Sequence, residues 1–115
     1  MKYMLQIYST GESMAEFEKL PEDEQKAIYG EYMTISDAPG VIGGEQLQPV
    51  ETATTVRVQD GRPLTTDGPF AETKEILGGY YVLDVDDLDA AVEVATRIPA
   101  ARLGGSVEVR PLVER

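Results

Sequence analysis

Two stretches of this chain repeat with a period of two, and together they commit it to a fold built on a sheet. Met1 to Thr10 (MKYMLQIYST) puts Tyr3, Leu5 and Ile7 on one face and Met4, Gln6 and Tyr8 on the other, a pattern that fits a strand and no helix. The second stretch, TTDGPFAETKEILGGYYVLD from Thr65 to Asp84, passes from a turn through a charged segment and a double glycine into a strongly β-prone run. Asp67-Gly68-Pro69-Phe70 reads as the turn because an Asp carboxylate accepts backbone N–H bonds, Gly tolerates positive φ and Pro fixes its own φ. Any site in this region lies where the polar turn meets the apolar strand Leu77 to Val85.

The rest of the chain supplies helices between strands. Ser13 followed by Glu16 fits a capping box ahead of a short helical turn, Met14 to Leu20. Pro21 suits the first position of a second helix, with Glu22, Asp23 and Glu24 at the positive end of its dipole. Ile28, Tyr32 and Ile35 form its apolar stripe with Met33 beside them, and Asp37-Ala38-Pro39-Gly40 ends it. Val41 to Glu51, rich in glycine, reads as irregular. Thr52 to Val58 reads as a strand turning at Asp60-Gly61 into Arg62 to Thr66. Asp86 or Asp87 caps a further helix to about Arg97, with Leu88, Ala91, Val92 and Ala95 as its stripe and Pro99 as its stop. Ser106 to Val113 alternates Val107 and Val109 against Glu108 and Arg110, a last strand.

With 115 residues and no linker or repeat, the chain is expected to form one domain, residues 1–115. The order of elements predicts an α+β fold of ferredoxin-like type, an antiparallel sheet with two helices on one face. The other face then collects Met4, Gln6, Tyr8, Arg57, one of Tyr80 and Tyr81, Glu108 and Arg110. That set is too apolar for a wet surface and too polar for a dry core, so a second copy closing over it around a lined cavity is expected, a homodimer.

Composition narrows the chemistry. The sequence contains neither cysteine nor histidine, which removes disulfides, thiolate chemistry and the usual neutral-pH base, and leaves acid–base work to Asp, Glu, Lys or Tyr. A net charge of −11 disfavours nucleic acid and anionic membrane surfaces as partners. No apolar run approaches a membrane span and no secretory signal opens the chain, so a cytoplasmic location is expected. No P-loop, dinucleotide fingerprint, nucleophile elbow or metal-binding spacing is present, so neither cofactor nor metal is expected.

Within those limits Asp67 is either a proton-transfer group or ligand anchor, or simply the residue that caps its own turn. Arg57 and Arg110 can clamp a carboxylate or phosphate in a forked geometry, or pair with Glu108, Glu45 or Glu72. Tyr80, in strand phase with the open face, can present its hydroxyl there. Gln6, Tyr8, Glu45, Phe70, Glu72 and Lys74 complete the ligand-binding candidates, and Gly78-Gly79 marks either a close approach of a ligand or a bulge.

The opening MKYMLQIY, Gly43-Gly44-Glu45-Gln46-Leu47-Gln48-Pro49, Ala53-Thr54-Thr55-Val56-Arg57, Thr66 to Glu75 (TDGPFAETKE), Gly78-Gly79-Tyr80-Tyr81, Pro99-Ala100-Ala101 and Val107-Glu108-Val109-Arg110-Pro111 together resemble the YCII-related superfamily, specifically its DGPF branch. The resemblance spans nearly the whole chain and is weakest over Ser9 to Ala38. It implies a dimeric α+β barrel. For the wider superfamily it implies candidate enzymes built on a His–Asp pair whose Asp corresponds to Asp67; without histidine that pair cannot form here. For the DGPF branch it implies an association with extracytoplasmic-function sigma factors. Two expectations follow: a small dimeric protein binding a polar or anionic metabolite at the sheet face, with Asp67 and Tyr80 as candidate catalytic groups, or a non-enzymatic module tied to sigma-factor regulation.

Overall fold

Hydrophobic alternation in β1 (Lys2–Ser9) and β5 (Ile76–Asp84) places these two strands at the centre of the molecule. A computed structural model of the protein, which describes residues 1–68 and 74–115, pairs them antiparallel, Leu5 opposite Tyr81 and Gln6 opposite Tyr80. β6 (Ser106–Pro111) adds to the free side of β1 and β2 (Val41–Gln46) to that of β5, giving an all-antiparallel sheet in the order β2-β5-β1-β6. This is the ferredoxin-like α+β arrangement. The sheet does not close on itself, and β2 and β6 are its edges.

Helices α1 (Gly11–Glu18), α2 (Glu22–Ser36) and α3 (Leu88–Arg97) connect the strands. Tyr3, Leu5 and Ile7 of β1 and Tyr81 and Leu83 of β5 are buried with Ile35 of α2, with Ala91, Val94 and Ala95 of α3, and with Ile98 and Ala100 just beyond it. Asp87 caps α3 by accepting from the Ala90 N–H (2.9 Å), as the sequence predicted. The buried stripe of α3 differs from the predicted one. Val94 packs inward, whereas Leu88 and Val92 are exposed. Ile98 then continues the stripe of Ala91, Val94 and Ala95, so the inward face extends toward the carboxyl end of the helix and away from Leu88.

Three further expectations need correction. The first helix starts earlier than predicted: Thr10 is its cap, and a reciprocal pair joins the Ser13 N–H to the Thr10 hydroxyl oxygen (2.9 Å) and the Thr10 N–H to the Ser13 hydroxyl oxygen (2.8 Å). Ser plays the role that Glu plays in the common version of this box, so Glu16 is not needed. Pro21 sits just outside α2 as its cap residue and not inside its first turn.

The larger correction concerns Val41 to Gln46, expected to be irregular and found to be a sheet strand. Its glycines permit close approach. A Cβ on Gly44, whose φ is +153°, would lie 2.6 Å from the Tyr80 carbonyl oxygen, and one on Gly79 would lie 2.8 Å from that of Glu45. Gly79→Ala is therefore expected to loosen the β2–β5 pairing, read as a lower urea midpoint and faster amide exchange at Leu47, whose N–H donates to the Gly78 carbonyl (2.9 Å).

β3 (Thr54–Gln59) and β4 (Arg62–Asp67) form the expected hairpin, but as a separate two-stranded sheet. Arg57 therefore does not lie on the open face of the main sheet. At its root the hairpin is tied down by the Gly68 N–H donating to the Ala53 carbonyl (2.5 Å) and the Thr55 hydroxyl donating to the Gly68 carbonyl (2.7 Å). Beyond the root it stands as an arm with little contact to the rest of the described chain.

Candidate functional site

The sheet's open face carries a cross-strand row, Glu45, Tyr80, Gln6 and Glu108, followed by a row of Gly43, Val82, Met4 and Arg110. Gln6, Tyr8, Met4, Tyr80 and Glu108 are half-buried, and the predicted alignment of Tyr80 with Gln6 and Glu108 holds. Arg110 is in ionic contact with Glu108, and that Glu108 oxygen is shielded from solvent without a well-aligned hydrogen bond. The plainer of the two roles foreseen for Arg110, pairing with a neighbouring carboxylate, is thus realised.

The other predicted site residues are spread apart. Asp67 is exposed at the end of β4, opposite Thr54, at the root of the arm. Arg57 is in β3 on that arm and Arg110 is in β6, on the far edge of the main sheet. Lys74 is exposed just before β5. Phe70 and Glu72 lie outside the described residues. One chain therefore does not gather Asp67, Arg57 and Arg110 around a common point. Among the described residues no group of three or more carboxylates converges as a metal ligand set would.

A concavity that sequence reasoning missed lies on the helix side. A groove of about 700 Å³ opens between α1, α2, the segment Gly44–Val50 and the start of β5. Its floor includes Ile7, Gly79 and Tyr81, its helical wall Phe17, Ile28, Tyr29 and Tyr32, and its far wall Leu47, Val50 and Leu77. Phe17 and Tyr29 meet edge to face, centroids 5.6 Å apart, which fixes α1 against α2. The Gln25 amide reinforces that angle by donating to the carbonyls of Phe17 (3.2 Å) and Leu20 (3.1 Å), at and just beyond the end of α1. Glu45 and Tyr80 also touch the groove, so both faces of the β2–β5 ribbon contribute to it.

Polar side chains interrupt the apolar lining at Ser9, Ser13, Gln25, Ser36, Gln46 and Gln48. Tyr81 donates its hydroxyl to the Tyr32 carbonyl (2.8 Å), joining the sheet to α2. Burial pushes the Tyr32 phenol above its ordinary value, against the opposing effect of a backbone hydrogen bond at Ala100; burial likewise raises Tyr81, opposed by Ser36. Glu18 and Glu45 are the acidic members, and no Lys or Arg occurs among the described lining residues.

These shifts have a defined consequence for stability. Both phenols hold their protons more tightly folded than unfolded, so their contribution is fully present below the unfolded value of 10.0 and is lost as pH rises through the higher folded values. Urea midpoints are expected to fall above about pH 10 in the native sequence and to fall less steeply in Tyr32→Phe. Equal slopes for the two proteins would contradict the burial of this phenol.

The chain is similar to an uncharacterised protein of Rhizobium meliloti (strain 1021), 46% identical over 68 residues, which is 58% of this chain and 55% of that relative. The matched stretch thus spans about half the length of the relative. The YCII-related domain model matches residues 1–115. With the antiparallel α+β sheet and the motifs quoted above, that match over the full sequence shows that the chain belongs to the YCII-related domain family.

Proposed function

We propose that this protein binds a small, mainly apolar molecule that is uncharged or positively charged, in the groove between α1, α2 and the β2–β5 ribbon. The observation that carries this reading is the lining itself: about 700 Å³ of concavity, within the range that small-molecule sites occupy, walled by aromatic and aliphatic side chains. Its helix-side carboxylate, Glu18, and the aromatic faces of Phe17, Tyr29 and Tyr32 suit a cation, whereas an anion finds no basic partner among the described lining residues. The sequence favoured a polar or anionic metabolite because Arg57 and Arg110 were expected to share the open face of the sheet. With those residues on separate elements, the groove is the better seat.

A second copy covering the open sheet face belongs to the same proposal. Met4, Tyr8, Tyr80 and Val82 are half-buried there with no further layer of the described chain above them. A two-fold axis permits the row bearing Glu45 and Glu108 to meet the partner's row bearing Arg110. Binding without turnover is the simplest reading, since Asp67 is exposed and lies outside the groove lining. Regulation of an extracytoplasmic-function sigma factor would be one use for such a ligand-sensing dimer, and it rests on the sequence resemblance to the DGPF branch.

A thermal-shift comparison of phenethylamine, benzyl alcohol and phenylacetate tests the ligand class. The amine and the alcohol are expected to raise the melting temperature, and the carboxylate to leave it unchanged. Leu77→Trp, which fills the groove, is expected to remove the response. A rise with phenylacetate alone would overturn the assignment.

A further inference from the structure

The arm formed by β3 and β4 is a structural oddity for so short a chain. Of its twelve strand residues only Thr55 is better than exposed, and Val58 and Val56 stand 71% and 59% open. The register places Val56 opposite Thr65 and Val58 opposite Pro63, so Val56, Val58 and Pro63 form an apolar patch toward the tip of one side, with Thr54 and Asp67 at its root. A two-stranded ribbon without a packed face is at best marginally stable in water. Something must cover that side.

The dimensions indicate what does. The radius of gyration is 16.0 Å, against about 13 Å for a compact domain near this length. The accessible surface is 8243 Å² for 12.6 kDa, whereas a compact monomer of that mass exposes about 6,200 Å². The excess is roughly 2,000 Å² per chain, and two chains together hold an amount within the roughly 2,000–5,000 Å² that obligate homodimers bury. The molecule is a slab of 46 × 44 × 19 Å.

We infer that the β3–β4 arm is a clasp: the Val56 and Val58 side of each arm packs on the body of a second copy, whose own arm does the same in return. This inference rests on the face-to-face pairing proposed above and adds to it a distinct contact, made by a part of the chain that the sheet face does not include. On its leading side the arm follows closely on the segment Leu47 to Val50, which walls the ligand groove. Seating the arm on the partner therefore ties the groove's far wall to the assembly.

The test is photo-crosslinking of the full chain with benzoylphenylalanine in place of Val58, with sedimentation run in parallel at micromolar concentration. A covalent product of twice the chain mass is expected from position 58 and none from the same group at exposed Lys19 on the outer helical surface. The paired substitution Val56→Asp with Val58→Asp is expected to weaken dimerisation at least about tenfold. A dimer by sedimentation that gives no doubled product from position 58 would overturn the clasp and leave the sheet-face pairing standing. A chain that sediments as a monomer would overturn both.

Discussion

Leu83→Ala is expected to destabilise the protein by about 3–5 kcal/mol, a large share of the roughly 5–15 kcal/mol that holds a domain of this size together. Leu83 is fully buried, in the β5 face that packs with Tyr3, Leu5 and Ile98. Truncation removes apolar contacts and leaves a cavity that the paired strands around it cannot collapse to fill. The loss should appear as a lower urea midpoint at unchanged slope, and it should not depend on protein concentration. The same substitution at a solvent-facing position costs far less. A shift under about 1 kcal/mol would mean that the inward face of β5 has been misidentified.

The second large effect is expected one residue away. Val82→Arg places a charge on the opposite face of the same strand, level with Met4 and Arg110. In a monomer that face is open and the change is nearly neutral. In the proposed dimer it buries an unpaired cation beside the partner's surface, a penalty of about 3–5 kcal/mol, which corresponds to a dissociation constant raised more than about a hundredfold. Sedimentation velocity should show the native chain as a dimer and the variant as a monomer with an unchanged circular dichroism spectrum. Alternation then has a double readout: an odd residue governs folding and its even neighbour governs assembly.

That contrast also marks how much was legible in the residues. β1, β5 and β6 were visible because each alternates residues packed toward the core, Val107 and Val109 in β6, with residues on the open face, and a period of two is hard to mistake where that holds. The cap at Asp87 and the arm's turn at Asp60-Gly61 were legible because their chemistry is local; Asp60 and Gly61 both adopt positive φ. β2 was not. Gly43 and Gly44 read as irregular because glycine is depleted in strands, yet here the missing Cβ is what lets β2 approach the Tyr80 and Tyr81 backbone. Once β2 was overlooked, the next β-prone run, Thr52 to Val58, took its place in the sheet and carried Arg57 with it.

The groove was hidden for a different reason. Its walls come from α1, α2, the Gly44–Val50 segment and β5, which meet only in three dimensions, and no single stretch carries a recognisable motif. Phe17 and Tyr29 each look like ordinary helix residues until they are found edge to face. Asp67 shows the converse. Its turn was locally conspicuous, and its position at the root of an exposed arm leaves it outside the lining of the helix-side groove.

Backbone amide shift mapping of the uniformly labelled protein, titrated separately with phenethylamine and phenylacetate, addresses the site most directly. The amine is expected to move the amides of Leu47, Gly78, Gly79 and Tyr29 in a saturable way, leaving Met4 and Arg110 in place. Saturable shifts from phenylacetate at Gln6, Glu108 and Arg110, with the groove amides unmoved, would contradict a helix-side site and return the ligand to the open face of the sheet.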